Sequence, residues 1–280
     1  MMLMKLKSKK EIKKILDTDK PLKSLGQNFL IDQHAVNALI ESGDLNDEDH
    51  VLEIGPGLGA LTEEIEGRAG RVTAIEKDSR FINYLKNTIN PQKTKLINAD
   101  FLNLSPQKIE IENKVISNLP FSVATPIIDR LLTQFNFDSI TVIVQKEVAK
   151  RIEGRKKESF LSIKTKFRGN PQFLKKIDRD CFWPRPRVDG AILKITPKQI
   201  STEEDFNRSF LKIIEAGFCH SRKQIKNNLT SLGISKKESI YILDQANIDP
   251  KKRAEKINLE DWRRITEFYL TLNLKKNRIK

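Results

Sequence analysis

The sequence has few cysteines and histidines and no long run of apolar residues. Its two cysteines, Cys181 and Cys219, form no C-x-x-C pair, so neither a disulfide scaffold nor a structural zinc site is expected. The histidines His34, His50 and His220 do not share the spacing of metal ligands. No apolar stretch approaches the ~20 residues that cross a bilayer, and no signal-peptide-like apolar segment precedes the first lysines. We therefore expect a soluble, cytoplasmic, monomeric protein without a metal site.

Glycine and proline are also scarce. The chain has 12 glycines and 11 prolines among 280 residues, too few for a fibrous or low-complexity protein. Hydrophobic residues make up 38% of the chain, which is enough for a core of ordinary size. A chain of this length has room for one large domain or for two of unequal size.

Positive charge, by contrast, is abundant and unevenly distributed. The chain has 51 lysines and arginines against 37 acidic residues, a formal net charge of +14. Residues 1–145 carry 18 basic and 20 acidic side chains, whereas residues 146–280 carry 33 and 17. A polyanion such as RNA would be attracted to the second half by charge and by counterion release. Charge alone is equally compatible with a solvated surface, so the motifs must decide between the two interpretations.

The chain changes character near residue 200. Residues 1–200 alternate strand-like and helix-like segments, which is typical of a parallel sheet flanked by helices. The following residues show only helical periodicity, interrupted at Gly233 and at Asp249–Pro250. We therefore predict an α/β domain over residues 1–200, whose first 24 residues are a basic extension, and a small all-helical domain over residues 201–280.

Six strands are predicted within the α/β domain, and Asp32 is expected to cap its first amphipathic helix. The strands are expected at 51–54, 71–76, 95–98, 114–118, 139–144 and 188–195.

A glycine-rich turn follows the first of these strands. It runs from Gly55 to Gly59, and Glu76 closes the next strand, 21 positions after Gly55. Glycines let the backbone approach a ligand closely, and an acid at this spacing binds ribose hydroxyls in nucleotide-binding α/β folds. Asp100 follows the third strand, where its carboxylate can accept a hydrogen bond from an adenine amino group. The combination predicts a nucleoside-containing cofactor, although a purely structural turn would explain the glycines alone.

The form of the turn indicates which cofactor. Dinucleotide-binding turns read G-x-G-x-x-G, whereas this turn reads G-x-G-x-G with an acid two positions before its first glycine. With the acids after strands two and three, the pattern resembles the S-adenosylmethionine-dependent methyltransferases, whose Rossmann-like sheet has helices on both faces. The resemblance implies S-adenosylmethionine as cofactor, with the turn against its methionine part and Glu76 on its ribose.

The fourth predicted strand ends in Asn118-Leu119-Pro120-Phe121. This tetrapeptide resembles the (N/D)-(P/I/L)-P-(Y/F/W) motif of enzymes that methylate exocyclic amines of nucleobases. Because the lone pair of such an amine is delocalised into the ring, oxygen acceptors that draw the nitrogen towards tetrahedral geometry make it a better nucleophile. Asn118 and a neighbouring backbone carbonyl would supply the acceptors, Phe121 would stack on the base and Pro120 would stiffen the turn. The alternative is an asparagine that closes a turn and a phenylalanine in the core.

Four further segments resemble the ribosomal RNA adenine dimethyltransferases. They are Leu25–Asp32 (LGQNFLID), Gln145–Arg151 (QKEVAKR), Phe182–Asp189 (FWPRPRVD) and Arg222–Lys223. The motifs occur in the family's order over nearly the whole chain, and the pattern resembles the bacterial KsgA/RsmA branch. That branch dimethylates two adjacent adenosines in the hairpin loop near the 3′ end of 16S rRNA. Phe121 stands where the branch usually has tyrosine, which keeps the stacking surface and removes a hydroxyl.

The resemblance implies three sets of functional residues. The cofactor would be bound by Asn28, Leu30, Gly55, Gly57, Glu76, Asp100 and Asn118. The catalytic centre would consist of Asn118, Leu119, Pro120, Phe121 and Phe182, with Phe182 as the second aromatic ring facing the base. Contacts with 16S rRNA in a 30S precursor, and a role in small-subunit biogenesis, are expected to involve Lys146, Arg151, Arg222 and Lys223.

Two alternatives stay open. A sister methyltransferase would act on large-subunit rRNA for antibiotic resistance, or on adenine in DNA, and a non-catalytic ribosome-assembly factor would keep only the fold. The presence of Glu76, Asp100 and the 118–121 motif argues against lost catalysis. The helical tail and the 182–189 segment favour the small-subunit branch.

Overall fold

A computed structural model of the chain describes residues 6–16, 26–109, 112–199 and 203–278. Leu25 and the rest of the predicted basic extension outside 6–16 therefore lie outside the described residues. The strands are β1 (Phe29–Leu30), β2 (His50–Ile54), β3 (Arg71–Glu76), β4 (Thr94–Asn98), β5 (Lys114–Asn118), β6 (Ser139–Gln145), β7 (Gly169–Ile177), β8 (Phe182–Trp183) and β9 (Gly190–Pro197).

Helices separate most of these strands and make up the end of the chain. They are α1 (Lys9–Leu16), α2 (Gln33–Gly43), α3 (Thr62–Glu66), α4 (Ser79–Lys86), α5 (Ala124–Gln134), α6 (Lys146–Glu153), α7 (Phe160–Arg168), α8 (Glu204–Phe218), α9 (Ile225–Asn228), α10 (Lys236–Gln245) and α11 (Leu259–Arg278). Among the described residues, no helix is long and apolar enough to span a membrane.

Seven strands form one sheet in the order β4-β3-β2-β5-β6-β9-β7. The five strands from β4 to β6 pair in parallel, and β9 pairs antiparallel with β6. The chain moves from β2 outwards to β4 and then returns to place β5 on the other side of β2. In open α/β sheets, ligands bind at the carboxyl ends of the strands where the order reverses in this way. The β2–β5 boundary is therefore the expected place for a site.

All six predicted strands are confirmed, with ends that differ by at most two residues. Strand β7 was not predicted because its sequence, GNPQFLKKI, contains Pro171 and two exposed lysines, Lys175 and Lys176. These features are compatible with a strand at the edge of a sheet, where one side needs no partner. The predicted cap of α2 is also confirmed, because the Asp32 side chain accepts a hydrogen bond of 2.8 Å from the Ala35 N–H.

The chain divides into two compact units. The first consists of residues 1–149 and 170–197, and the second of residues 150–169 and 198–280. The longer stretch of the second unit starts at residue 198, close to the boundary expected at 200, and the unit also includes α7. That helix belongs there because Phe167 stacks on Phe210 of α8, with ring centroids 4.0 Å apart, in a core of apolar side chains. Such packing between distant segments leaves no mark in local periodicity.

Candidate active site

A cavity opens in the first unit at the carboxyl ends of β2, β3, β4 and β5. It is lined by side chains from several of the predicted motifs, including every residue expected to bind the cofactor: Asn28, Leu30, Gly55, Gly57, Glu76, Asp100 and Asn118. Leu119 and Pro120 also line it, whereas Phe121 and Phe182 are not among its described lining residues. The fold thus brings together residues distant in sequence, such as Asn28 and Asn118, which are 90 positions apart.

The backbone conformation of the glycine turn favours residues without a Cβ atom. Gly55 and Gly57 have φ angles of 73° and 58°, in the left-handed region that residues with a Cβ atom rarely adopt. A Cβ on Gly57 would also lie 3.1 Å from the Phe29 ring. Phe29 stacks on Trp183, with ring centroids 6.4 Å apart, where β1 pairs antiparallel with β8. The backbone conformation therefore favours glycine at both positions, and the packing of Phe29 favours it at Gly57 as well.

Glu76 lies at the end of β3 and is 6% exposed. Its carboxylate accepts hydrogen bonds from the backbone N–H groups of Gly57, at 3.0 Å, and Asp78, at 2.7 Å. Burial is the largest influence on the pKa of Glu76 and raises it, while the backbone donors oppose the rise. Because a carboxylate offers about four lone-pair sites, these two bonds leave capacity for hydroxyl donors.

Asp100 follows β4 and holds a short turn at the cavity wall. One oxygen accepts from the Leu102 N–H at 3.0 Å, and the other lies 2.9 Å from the Lys77 ammonium. Burial favours a higher pKa, but the hydrogen bonds from Lys77 and Leu102 outweigh it, so the pKa of Asp100 is lowered. Asp100 is thus a carboxylate acceptor placed beside the cavity.

Glu53 is a further cavity-lining acid that was not among the predicted site residues. It is 1% exposed, and its carboxylate accepts a 2.6 Å hydrogen bond from the Thr62 hydroxyl across the glycine turn. Burial raises the pKa of Glu53 to about 8, against an ordinary 4.5, and the nearby Glu76 adds to the rise. The signal was present in the sequence as the acid before the first glycine.

Asn118 ends β5 with its side-chain amide fixed. The Nδ2 group donates a 2.9 Å hydrogen bond to the Asn28 carbonyl, whereas Oδ1 is buried and has no hydrogen-bond partner among the described residues. The next peptide is held as well, because the Leu119 N–H donates to the Ile143 carbonyl of β6 at 3.1 Å. A buried acceptor without a donor is costly unless a ligand supplies one.

The two predicted aromatic residues lie together, but they differ in exposure. Phe121 is partly buried, and its ring meets that of Phe182 edge to face with centroids 5.8 Å apart. Phe182 is 1% exposed and packs in the core beneath Phe121. In this structure Phe182 therefore supports Phe121, and its role as a ring facing the base stays a prediction.

The predicted RNA-binding residues lie outside the cavity lining. Arg151, Arg222 and Lys223, all in the second unit, are exposed. Lys146, in the first unit, forms a 3.0 Å ion pair with Asp189. Three of the four predicted RNA-binding side chains are thus exposed to solvent, whereas the fourth, Lys146, is paired with an acid.

The cavity suits S-adenosylmethionine better than a metal ion. No group of three or more metal-binding side chains occurs within the described residues. The backbone of Gly55 and Gly57 lines the cavity, the Glu76 carboxylate retains acceptor capacity, and Asn118 Oδ1 has no donor among the described residues. These features fit a nucleoside cofactor with a substrate amine beside it.

Comparison with known proteins decides the family. Residues 18–270 match the family described as ribosomal RNA adenine dimethylase. The chain belongs to this family. It is therefore an rRNA adenine dimethyltransferase, of a class that uses S-adenosylmethionine as methyl donor.

Two relatives bear the name ribosomal RNA small subunit methyltransferase A. The protein from Dehalococcoides mccartyi is 38% identical over 89% of this chain and 88% of its own length. The protein from Clostridium botulinum is 35% identical over 88% of this chain and 92% of its own length.

Two solved structures are similar to this dimethyltransferase along most of the chain. The 23S rRNA methyltransferase ErmE has a TM-score of 0.71 at 26% identity, covering 86% of this chain and 99% of its own. A dimethyladenosine transferase from Plasmodium falciparum has a TM-score of 0.72 at 22% identity, covering 89% and 98%. They share the predicted fold, a Rossmann-like methyltransferase sheet followed by a helical region.

Loss of Glu76 should weaken cofactor binding. We expect Glu76→Ala to lower the affinity for S-adenosylhomocysteine by ~10- to 100-fold, because charge-assisted hydrogen bonds to the ribose are lost. Isothermal titration calorimetry measures the effect, with Glu41→Ala, an exposed acid on α2, as the matched control. Unchanged affinity in Glu76→Ala would remove Glu76 from the binding site.

The buried Glu53 should make stability depend on pH. Its pKa is raised on folding, so its contribution is fully present below the unfolded value of 4.5 and is lost as pH rises through about 8. Between pH 5 and pH 9 the free energy of unfolding of the wild type should fall by on the order of 3–5 kcal/mol more than that of Glu53→Gln. Urea unfolding at both pH values tests this, with exposed Glu48→Gln as control; parallel pH profiles for wild type and Glu53→Gln would contradict it.

Proposed function

We propose that this enzyme uses S-adenosylmethionine to dimethylate the exocyclic amine of two adjacent adenosines in the 3′-terminal hairpin loop of 16S rRNA. The substrate would be the 30S particle or its precursor, and the modification would take part in small-subunit biogenesis. The observation that carries the proposal is the buried, unpartnered Oδ1 of Asn118 beside Phe121. The names of the relatives from D. mccartyi and C. botulinum support the small subunit as substrate.

Asn118 supplies what an aromatic amine lacks as a nucleophile. Its Oδ1 accepts one N–H of the amine, and the Leu119 carbonyl, to which no described residue donates, accepts the other. Two acceptors on one side of the nitrogen draw its hydrogens out of the base plane and direct the lone pair away from them. Because the amine gains positive charge as the new bond forms, these contacts strengthen in the transition state.

The cofactor would be held by the residues at the strand ends. Glu76 would bind the ribose hydroxyls, Asp100 the adenine amino group, and the turn at Gly55 and Gly57 would pack against the methionine part. Asn28 and Leu30 would complete the wall. When bound, S-adenosylmethionine supplies an electrophilic methyl group on a sulfonium.

Phe121 would hold the target base after it leaves its stack in the RNA. A partly exposed ring next to Asn118 offers a face for stacking, and Phe182 fixes that ring from below. The exposed cations Arg151, Arg222 and Lys223 would contact RNA phosphates.

A large-subunit substrate is the second candidate, because the 23S rRNA methyltransferase ErmE shares the fold at a TM-score of 0.71 and 26% identity. Undermethylated 30S particles, 50S particles and duplex DNA, each incubated with labelled S-adenosylmethionine, separate the possibilities. We expect label in 30S particles, recovered as dimethyladenosine at two positions of the 16S rRNA. Label confined to 50S particles would favour the second candidate, and label in none would contradict both.

Asn118→Ala should affect chemistry more than binding. Loss of a contact that strengthens in the transition state should lower kcat by ~100-fold or more and weaken RNA binding much less. Single-turnover methylation of 30S particles, read by mass spectrometry of digested rRNA, measures the rate. Asn118→Asp, which keeps an oxygen acceptor, should recover part of it.

Two variants control for a general loss of structure. Asn87→Ala, at the exposed end of α4, should behave as wild type. Phe121→Tyr should be nearly silent because it keeps the stacking ring. Wild-type dimethyladenosine formation by Asn118→Ala would refute the role of Asn118 as acceptor.

A further inference from the structure

The segment before the first motif forms part of the cavity wall. Leu6, Lys7 and Ile12 all line the cavity. Helix α1 is held in place by Ile12 and Leu16, which are 1% and 6% exposed and pack with Leu58, Phe81, Leu85 and Ile89. The helix start is capped, since the Ser8 hydroxyl and the Glu11 carboxylate each accept from the other's backbone N–H. The segment is thus a built part of the site rather than a loose basic extension.

Lys7 projects from this segment beside the glycine turn. Its side chain is 16% exposed, and its ammonium lies 3.3 Å from a Glu63 carboxylate oxygen and 5.4 Å from the centre of the Tyr84 ring. Glu63 in turn donates its backbone N–H to the Gly59 carbonyl at 3.1 Å. The Lys7 ammonium is therefore connected through one residue to the last glycine of the turn.

Two cations are among the charged side chains that line the cavity. The described charged side chains that line it are Lys7, Glu53, Glu76, Lys77 and Asp100. Lys77 is 57% exposed and closely paired with Asp100, on the side of the adenine-binding turn. Lys7 is the less exposed of the two cations, and the one on the side of the glycine turn.

S-Adenosylmethionine has one negative group, the carboxylate of its amino-acid end. Next to Glu63, whose carboxylate lies 3.3 Å from the Lys7 ammonium, that group would be repelled unless a cation stood between them. The amino-acid end is also the part that the glycine turn is expected to contact. Lys7 has the charge that this carboxylate requires, and it lies on the side of the cavity where the carboxylate is expected.

We propose that Lys7 binds the carboxylate at the amino-acid end of the cofactor, sharing its ammonium between that group and Glu63. The inference rests on the proposed use of S-adenosylmethionine at this cavity and adds a ligand-binding residue from outside the recognised motifs. The apolar neighbours Leu6 and Ile12 exclude water from the pair and so reduce its screening.

Two ligands that differ in the amino-acid end test the assignment. S-Adenosylhomocysteine carries the carboxylate, whereas 5′-methylthioadenosine has the same nucleoside and thioether without it. By calorimetry on the full chain, Lys7→Gln should lower the affinity for S-adenosylhomocysteine by ~10-fold or more. It should change the affinity for 5′-methylthioadenosine by less than about twofold. Lys7→Arg should retain most of the affinity for S-adenosylhomocysteine.

Matched variants separate binding from structure. Lys13→Gln, which removes an exposed cation from α1, should leave the affinity for both ligands unchanged. Ile12→Ala, which removes an apolar side chain from the cavity wall, should lower the affinity for both ligands to a similar extent. Glu63→Gln frees the Lys7 ammonium and should leave S-adenosylhomocysteine binding equal or tighter.

Equal weakening of both ligands by Lys7→Gln would assign Lys7 a structural role and overturn the proposal, as would no change in either. A failure of the proposed function looks different, because the wild type itself would then bind neither ligand. If the wild type binds and methylates as expected, but Lys7→Gln lowers the affinity for both ligands equally, only the inference about Lys7 is refuted.

Discussion

The hydrogen bond from the Asn118 amide to the Asn28 carbonyl is the contact on which the chemistry of this site depends. An asparagine can present either its oxygen or its nitrogen, and the surrounding bonds decide which. Donation from Nδ2 to Asn28 at 2.9 Å leaves Oδ1 as the unpaired acceptor. Asn28 directly precedes β1, which pairs with β8 through Phe29 opposite Trp183. Three segments distant in sequence thus set the orientation of one amide.

The sheet supplies the rest of the arrangement. Parallel strands end at the same edge, so the glycine turn, Glu76, Asp100 and Asn118 follow four neighbouring strands and line one cavity. The polar groups there are not equivalent. The pKa of Glu76 is raised by burial, whereas that of Asp100 is lowered by its partners, Lys77 above all. The same edge therefore offers a buried carboxyl group and a carboxylate paired with Lys77, which suits a ligand with a ribose and an adenine.

Sequence reasoning reached the parts of this site that depend on strand ends. Glu76, Asp100 and Asn118 each close or follow a strand with a clear apolar pattern, so their convergence followed from the parallel sheet alone. Edge strand β7 was missed because its proline and lysines are typical of a loop. The sequence placed α7 with the α/β domain, whereas α7 packs with the second unit through Phe167 and Phe210, a contact that local pattern does not reveal. Lys7 was taken for part of a charged extension because its place in the cavity depends on how α1 docks. The local sequence pattern predicts secondary structure, whereas tertiary packing decides whether a charged residue far from the motifs, such as Lys7, lies in the site.

The most direct test of the account is the structure of the enzyme with S-adenosylhomocysteine and an RNA hairpin that carries the target adenosines. The account predicts that the exocyclic nitrogen of one adenine lies within about 3.2 Å of Asn118 Oδ1, with the base stacked on Phe121. It also predicts that the Asn118 Nδ2 bond to Asn28 is unchanged. An adenine bound productively with its amine more than about 4 Å from Oδ1, or with the amide reversed, would contradict the account.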